Sequence, residues 1–152
     1  VFCCVVGVSL TNVKADDSTP KSVDGSYLTS ADSSTGYTPK NNERGKHLMD
    51  GQCSISKTGT KRIYAYGSTT ANHTVDAVAV IVYVDQYNEK DDEWYQIDAF
   101  SKKVENDYYS AISKSIQVDR GYYYRVHADH FVRMGEEPVE ETFSVTNGIL
   151  VP

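Results

Sequence analysis

The stretch that decides the fold is "DRGYYYRVHADHF", residues 119–131. Successive side chains of a β-strand point to opposite faces, and this alternation divides the stretch into two sets of different chemistry. The set predicted to pack on the core is Tyr122, Tyr124, Val126, Ala128 and His130. The set predicted to point outward is Tyr123, Arg125, His127, Asp129 and Phe131.

The turn before this strand predicts a structural role for Tyr124. Val118 lies six residues before Tyr124, with the turn residues 119–121 between them. This spacing resembles the tyrosine corner of immunoglobulin-like and fibronectin-type domains, in which a tyrosine hydroxyl bonds to the backbone upstream. His130, near the end of the same face, is predicted to be a hydrogen-bonded core histidine rather than a ligand.

Outward from this stretch, short runs rich in β-branched and aromatic residues alternate with turn residues from residue 47 onward. The polar segment 88–92 and the glycines Gly59 and Gly121 are typical of turns. The pattern predicts an all-β domain over residues 47–152, a single immunoglobulin-like or fibronectin-type β-sandwich of about seven strands. The runs are 52–57, 61–67, 76–86, 93–101, 108–118, 122–132 and 141–151.

The residues before the domain have two different compositions. Residues 1–15 combine an apolar run with Val13-Lys14-Ala15, which has the pattern of a signal-peptidase site, and they are predicted to be a signal-peptide remnant. The run is shorter than the roughly 20 residues of a membrane span, so we expect a secreted protein without one. Residues 16–46, rich in Ser, Thr and Asp, are predicted to be a flexible leader.

Charge and cysteine content restrict the possible partners and the compartment. The net charge of −6 becomes −7 without residues 1–15, because Lys14 is the charged residue among them. An acidic chain has no electrostatic basis for binding nucleic acid or an anionic membrane, so neither is a predicted partner. Cleavage would leave Cys53 as the only thiol, which excludes an internal disulfide and is typical of proteins exported by Gram-positive bacteria.

The run 76–86 is apolar on both of its faces. Its predicted core face is Val78, Val80, Val82 and Val84. Its other face is Ala77, Ala79, Ile81 and Tyr83. A strand that is apolar on both sides needs a second cover, which the leader, a partner or a ligand could supply.

The runs 76–86, 93–101 and 122–132 are predicted to be neighbours with a shared outer face. In 93–101 the alternation directs Tyr95, Ile97 and Ala99 to the core. Aromatic rings bury area and polar groups set orientation, so the outer face could recognise a glycan, a cell-envelope component or a protein. The alternative is a solvated sheet face with ordinary cross-strand pairs. The predicted ligand-binding residues are Trp94, Tyr83, Gln96, Asp98, Tyr123, Arg125, His127 and Asp129.

No residue pattern predicts a cofactor or a catalytic centre. His127 and Asp129 share a strand face at a spacing that could reach a metal, but two ligands do not make a site. The acidic loop 88–93 lacks the ligand spacing of known Ca²⁺ loops, and Ca²⁺ binding there stays open. Cys53 lies on a predicted core face, which favours an inert thiol. Lys114, between apolar positions, could extend to solvent or form an isopeptide bond.

Two segments, "GQCSISKTGTKRIYAYGSTTANHTVDAVAVIVYVDQYN" (51–88) and "DRGYYYRVHADH" (119–130), carry a family resemblance. They resemble a family of short exported proteins of clostridial-type Gram-positive bacteria that is known as a domain of unknown function. The resemblance implies secretion and a bacterial source, and it brings no activity. We therefore expect a secreted, non-catalytic binding module for adhesion, carbohydrate recognition or envelope interaction. The alternatives are a small secreted hydrolase and a bacteriocin-like or toxin-like effector.

Overall fold

The computed structural model describes residues 19–40 and 45–152. Every regular element in these two ranges is a β-strand, which confirms the all-β class. None of the described residues form a helix that is long and apolar enough to cross a membrane. The predicted signal-peptide remnant lies outside the described residues. The strands are β1 (Ser22–Val23), β2 (Ser26–Thr29), β3 (Ser33–Tyr37), β4 (Leu48–Gly59), β5 (Arg62–Asn88), β6 (Glu93–Gln117), β7 (Tyr122–Arg133), β8 (Glu140–Val145) and β9 (Gly148–Val151).

Two long strands form the centre of the fold. β5 has 27 residues and β6 has 25, and they pair in an antiparallel hairpin from Asn88↔Glu93 to Arg62↔Gln117. The runs predicted as four separate strands are therefore halves of two. The pairing register shifts between Thr70 and Val75 of β5. On the opposite strand β6, Asn106 has a left-handed φ of 53° at this point. Such bulges bend a strand without ending it.

The bend lets β5 fold over itself. Its first half pairs with β4 and its second half with β7. A Cβ atom on Gly67 would come within 2.5 Å of Val82 Cγ2, so the two halves of the strand pack directly against each other. The core between the two halves includes Cys53, Ile55, Ile63, Ala65, Val80, Val82, Val84, Val118, Tyr124, Val126, Ala128, Ile149 and Val151.

The finer prediction, an immunoglobulin-like sandwich, is not confirmed. The strands form one path of hydrogen-bonded neighbours, β1-β2-β9-β7-β5-β4-β3, with β6 beside β5 and β8 beside β7. The pairing of β2 with β9 is parallel and the others are antiparallel, so the sheet is mixed. The protein is thus one curled sheet with its core inside the curl.

The prediction of a flexible leader over 16–46 is wrong for residues 22–37, which form β1, β2 and β3. β2 pairs with β9 and β3 pairs with β4, so the backbone partners come from distant parts of the chain. At Gly36 a Cβ atom would collide with the Val145 carbonyl, and glycine permits this close approach. Asp24 and Gly25 have φ values of 47° and 76°, as a two-residue hairpin turn requires.

The core face of the opening stretch is largely as predicted. Tyr124 is 1% exposed, and its hydroxyl donates to the Asp119 carbonyl at 2.8 Å, which confirms the bond to upstream backbone. His130 is fully buried, with ring nitrogens 2.8 Å from Thr69 Oγ1 and from Ser144 Oγ, so it is a hydrogen-bonded core residue. The core assignment of Tyr122 is wrong, since that residue is 45% exposed.

A bulge in β6 reverses part of the predicted alternation. Val84 pairs with Asp98 while Asp85 pairs with Gln96, which leaves Ile97 as the extra residue. Asp98 therefore lies on the side of Val84 and not on the outer face, whereas Ala99 pairs with Tyr83 on that face. The core assignments of Ile97 and Ala99 are wrong for this reason. Tyr95 is also exposed, although it was assigned to the core.

Candidate functional site

Seven of the eight predicted binding residues lie on the outer side of β5, β6 and β7, where Asp85 Oδ2 contacts both His127 and Arg125. Tyr83 and His127 are cross-strand neighbours, and their rings stack with centroids 4.7 Å apart. His127 Nε2 lies 3.3 Å from Asp85 Oδ2. Burial raises the pKa of Tyr83, and the nearby Asp129 carboxylate raises it further. Tyr83, His127 and Asp129 thus form one half-buried polar-aromatic group.

Arg125 is buried, whereas the sequence predicted an exposed position for it. It is 6% exposed, because the segment formed by β1 and β2, here called the N-terminal strap, covers it. Its guanidinium donates to Asp85 Oδ2, to Asp24 Oδ2 and to the Asp24 carbonyl, each at 2.9 Å, and to Ser26 Oγ at 3.1 Å. Burial opposes ionisation of Asp85, but hydrogen bonds and charges from His127 and Arg125 outweigh it and lower its pKa.

Trp94 also contacts the N-terminal strap. Its indole Nε1 donates to the Val23 carbonyl at 3.0 Å, and its ring lies 4.6 Å from the Arg125 guanidinium carbon. A Cβ atom on Gly148 would approach Trp94 Cη2 at 2.7 Å, so the ring also packs on the β9 backbone. Arg125 and Trp94 are therefore engaged in holding the strap to the sheet.

The remaining predicted residues do not lie together. Gln96 is exposed near the end of the β5–β6 hairpin. Tyr123 is half-buried and meets the Tyr87 ring edge-on at 6.3 Å. Asp98, on the other side of the sheet, pairs with Lys114 Nζ at 2.7 Å, and the Lys114 side chain is 48% exposed. Lys114 is thus in a solvent-exposed ion pair.

Two of the four carboxylates of the acidic loop 88–93 have partners within the protein. Asp91 Oδ2 accepts from Asn88 Nδ2 at 2.9 Å and from the Tyr95 hydroxyl at 3.0 Å. Asp92 pairs with Lys21 Nζ at 2.7 Å. Across residues 19–40 and 45–152, no three His, Cys, Asp or Glu side chains are grouped so as to hold a metal ion.

Cys53 is a buried thiol, as its alternation with core residues predicted. It is fully buried, and its Sγ lies 3.6 Å from the Val126 carbonyl oxygen. Burial raises the pKa of the thiol to about 11. At neutral pH the thiolate needed for nucleophilic attack is therefore disfavoured.

The other side of the curled sheet carries a surface that the sequence analysis missed. β3, β4, the first half of β5 and the second half of β6 lie side by side there. One row across them is Thr35, Ser54, Tyr66 and Ser113. We call this surface the tyrosine–serine face, and its residues are Ser33, Thr35, Tyr37, Gln52, Ser54, Ser56, Tyr64, Tyr66, Ser68, Thr70, Tyr109, Ala111, Ser113 and Ser115.

None of these side chains carries a charge at neutral pH, although 24% of the residues in the chain are charged. Arg62 and Asp50 lie at the two ends of the face, and each is held by a neighbour. Arg62 donates to Ser115 Oγ at 3.3 Å, and Asp50 Oδ1 accepts from Thr38 Oγ1 at 2.8 Å. The space between these two charges is a neutral hydrogen-bonding surface.

Several tyrosine rings stand open on this face. Tyr37 is 61% exposed, Tyr64 is 39% exposed and Tyr109 is 41% exposed. The hydroxyls of Tyr66 and Tyr109 lie 2.9 Å apart, and this hydrogen bond is the main cause of the raised pKa of Tyr109. Tyr64 and Tyr66 follow each other on one face of β5, about 6.6 Å apart along the strand. The face thus combines accessible rings with closely spaced hydroxyl groups.

Part of this face had a readable signal in the sequence. In "KRIYAYG" (61–67), Ile63 and Ala65 alternate with Tyr64 and Tyr66, which directs the tyrosines outward once the first pair is assigned to the core. The contribution of β3 could not be found, since its pairing with β4 places Tyr37 beside Gln52 through tertiary structure alone.

No protein-family model matches the chain, and a comparison with curated proteins finds no significant relative. The resemblance to a clostridial-type exported family stays a prediction. The function is therefore argued from the surfaces of the molecule.

Proposed function

We propose that the chain is a secreted, non-catalytic binding module whose ligand is a neutral carbohydrate that lies on the tyrosine–serine face. The observation that carries this proposal is an outward surface, four strands wide, on which exposed tyrosine rings alternate with hydroxyl and amide groups without any charge.

The chemistry of the face fits a sugar better than an ionic ligand. A sugar ring has an apolar C–H side that packs on an aromatic ring, and hydroxyl groups that need hydrogen-bond partners. Tyrosine supplies an apolar body and a polar tip in one side chain. Ser54, Ser113 and Gln52 add donors and acceptors beside the rings. A neutral ligand on such a face also avoids the desolvation of a charge.

Export is proposed because Val13-Lys14-Ala15 follows an apolar run in the pattern of a signal-peptidase site. The expected first residue of the secreted protein is Asp16. Mass spectrometry of protein recovered from the culture medium checks this, and a secreted form that retains residues 1–15 would contradict it.

The binding proposal predicts which substitutions weaken carbohydrate binding. A screen of the purified protein on neutral and acidic glycans identifies a ligand, whose affinity is then measured by calorimetry. Tyr64→Ala and Tyr66→Ala should each weaken binding by about 5- to 30-fold, as the loss of an aromatic anchor costs about 1–2 kcal/mol. Binding should change little between low and high salt, because no ion pair contributes.

Two controls locate the site. Tyr95→Ala removes a tyrosine that is 46% exposed but lies outside the face, and it should leave affinity unchanged. Tyr83→Ala tests the face predicted from sequence. If Tyr83→Ala abolishes binding while Tyr66→Ala does not, the ligand occupies that other face. Binding restricted to acidic glycans, or to a protein partner as in Tyr- and Ser-rich antibody loops, would overturn the carbohydrate proposal.

A further inference from the structure

On the side of the molecule opposite the tyrosine–serine face, the outer surface carries apolar residues among charged ones. It is formed by the second half of β5 with β7 and β8 and the first half of β6. Phe143 is 57% exposed and Val139 is 56% exposed. We call this surface the apolar face, and its apolar residues are Ala77, Ala79, Ile81, Phe131, Val139, Phe143 and Val145.

The apolar face has a depression next to a projecting ring. A cavity of about 290 Å³ lies over Ala77 and Ala79, and Phe131, Val139 and Lys103 also line it. Ala79 and Phe131 are direct cross-strand neighbours. A small residue that forms a hollow therefore lies beside a large residue that stands above the sheet.

The charges at the borders of this face are arranged with opposite signs. One cross-strand row reads Lys103, Ala79, Phe131 and Glu141, from β6 to β8. A cation thus ends the row on one side and a carboxylate ends it on the other, with the hollow and the ring between them. Lys103 Nζ also lies 3.4 Å from Glu105 Oε1 in an exposed ion pair, which a partner carboxylate would share.

We propose that the apolar face binds a second copy of this chain in a two-fold symmetric dimer. The two-fold axis would lie in the interface, parallel to the strands and midway between β5 and β7. Rotation about this axis turns the partner's face toward this one and reverses the order of each cross-strand row. It places Ala79 opposite Phe131 of the partner subunit and Lys103 opposite Glu141 of the partner subunit, and each contact occurs twice. The apolar face is therefore complementary to its own copy, both in its apolar contacts and in its two ion pairs.

The neighbouring rows fit the same operation in part. Ala99, Tyr83, His127 and Val145 form one row, so Ala99 lies opposite Val145 of the partner subunit. In the row between, Ile81 meets Asp129 of the partner subunit, which places a carboxylate in the interface and weakens it. The surface is four strands wide at about 4.8 Å per strand, so the dimer belongs among small, weak interfaces.

Dimerisation through this face has a functional consequence that goes beyond the proposed carbohydrate binding. The two tyrosine–serine faces would point away from each other on opposite sides of the dimer. One dimer could then bridge two glycan chains or two surfaces, and its avidity would exceed the affinity of one face.

Sedimentation velocity of the full chain over a concentration series, up to about 1 mM, tests the dimer. The wild type should shift from monomer to dimer as the concentration rises. Lys103→Glu and Glu141→Lys should each weaken the dimer about tenfold, because each places like charges opposite each other. The double variant Lys103→Glu/Glu141→Lys exchanges the charges and should restore dimerisation.

Lys90→Glu makes the same charge change in the exposed hairpin turn and should leave the dimer unaffected. A chain that stays monomeric throughout the series overturns the proposal. So does a dimer that ignores both single charge reversals, or one that Tyr66→Ala disrupts, since Tyr66 lies on the opposite face. Glycan affinity of the Lys103→Glu variant, measured separately, should equal that of wild type. Loss of the dimer and loss of glycan binding are thus distinguishable.

Discussion

At the scale of single residues, burial sets the protonation of His130. Its ring is fully buried, and both ring nitrogens contact hydroxyl groups that are neutral. Burial lowers the pKa of His130 from 6.5 to about 4, although the Asp50 charge acts in the opposite direction. The folded protein therefore holds this histidine neutral at a pH where the unfolded chain would protonate it.

This difference predicts a loss of stability in acid. Between pH 6.5 and about 4 the unfolded state binds more protons at His130, so the free energy of unfolding falls as the pH is lowered. A shift of this size corresponds to about 3 kcal/mol, fully present above pH 6.5 and lost toward pH 4. Urea unfolding of wild type and His130→Gln from pH 7.5 to 4.5 should show a shallower decline for the variant.

The comparison isolates His130, because Asp85 and Glu137, whose pKa values are lowered, are present in both proteins. Equal declines for the two proteins would contradict the assignment. If His130→Gln does not fold, NMR titration of the wild type gives the same information. The His130 ring should then stay neutral down to about pH 5.

The core or surface position of a single residue could be predicted wherever the alternation of side chains along a strand decides it. Tyr124, His130 and Cys53 were assigned to the core because each alternates with apolar neighbours on one strand face. Arg125 was assigned to an exposed surface, because alternation gives the face of a side chain but not what covers that face. Its partner Asp24 lies 101 positions away, and no local pattern relates two such positions.

At the scale of elements, the sequence predicted the β-structure after residue 47 but not where each strand begins and ends. It missed β1, β2 and β3, and the predicted run 141–151 is two strands, β8 and β9. The segment 68–75, "STTANHTV", separates two apolar runs, and its polar composition predicts a break between two strands. Its threonines also suit a strand, and a bulge absorbs the irregular register without ending the pairing. The bulge at Ile97 explains why the candidate residues of β6 divided between two sides of the sheet.

The N-terminal strap has one sequence feature that indicates order, although its overall composition indicates disorder. Its Ser, Thr and Asp content is typical of disorder, yet Asp24-Gly25 is one of the preferred pairs for a two-residue hairpin turn. The strap is ordered by what it contacts, since Ser26 Oγ donates to the Thr146 carbonyl at 2.7 Å and Val23 accepts from Trp94. A short hairpin of this kind is stable only when it packs on a larger sheet.

At the scale of the whole molecule, the curl of β5 separates the two outer faces. The first half of the strand carries Tyr64 and Tyr66 outward, and the second half carries Ala79 and Ile81 outward in the opposite direction. The sequence shows the alternation in each half but not that the halves face each other. That information lies in the packing of Gly67 against Val82.

This packing predicts that Gly67→Ala destabilises the protein, although alanine usually suits a strand better than glycine. The new Cβ would lie 2.5 Å from Val82 Cγ2 and 3.1 Å from Val80 Cγ2, so overpacking should cost about 1–3 kcal/mol. Val82→Ala should also destabilise, because it leaves a cavity. The two changes compensate for each other, so the loss in the double variant should be smaller than the sum by at least about 0.5 kcal/mol.

Denaturant unfolding of the four proteins in this cycle measures the coupling between the two halves of β5. Gly59→Ala is the matched control, because its new Cβ would make only an ordinary 3.7 Å contact with Arg62 Cβ. Its effect on the free energy of unfolding should stay within about 0.5 kcal/mol, as for other exposed positions. Additive losses for Gly67→Ala and Val82→Ala would mean that the strand does not fold over itself. The tyrosine–serine face and the apolar face would then lose the opposed arrangement that a bridging dimer requires.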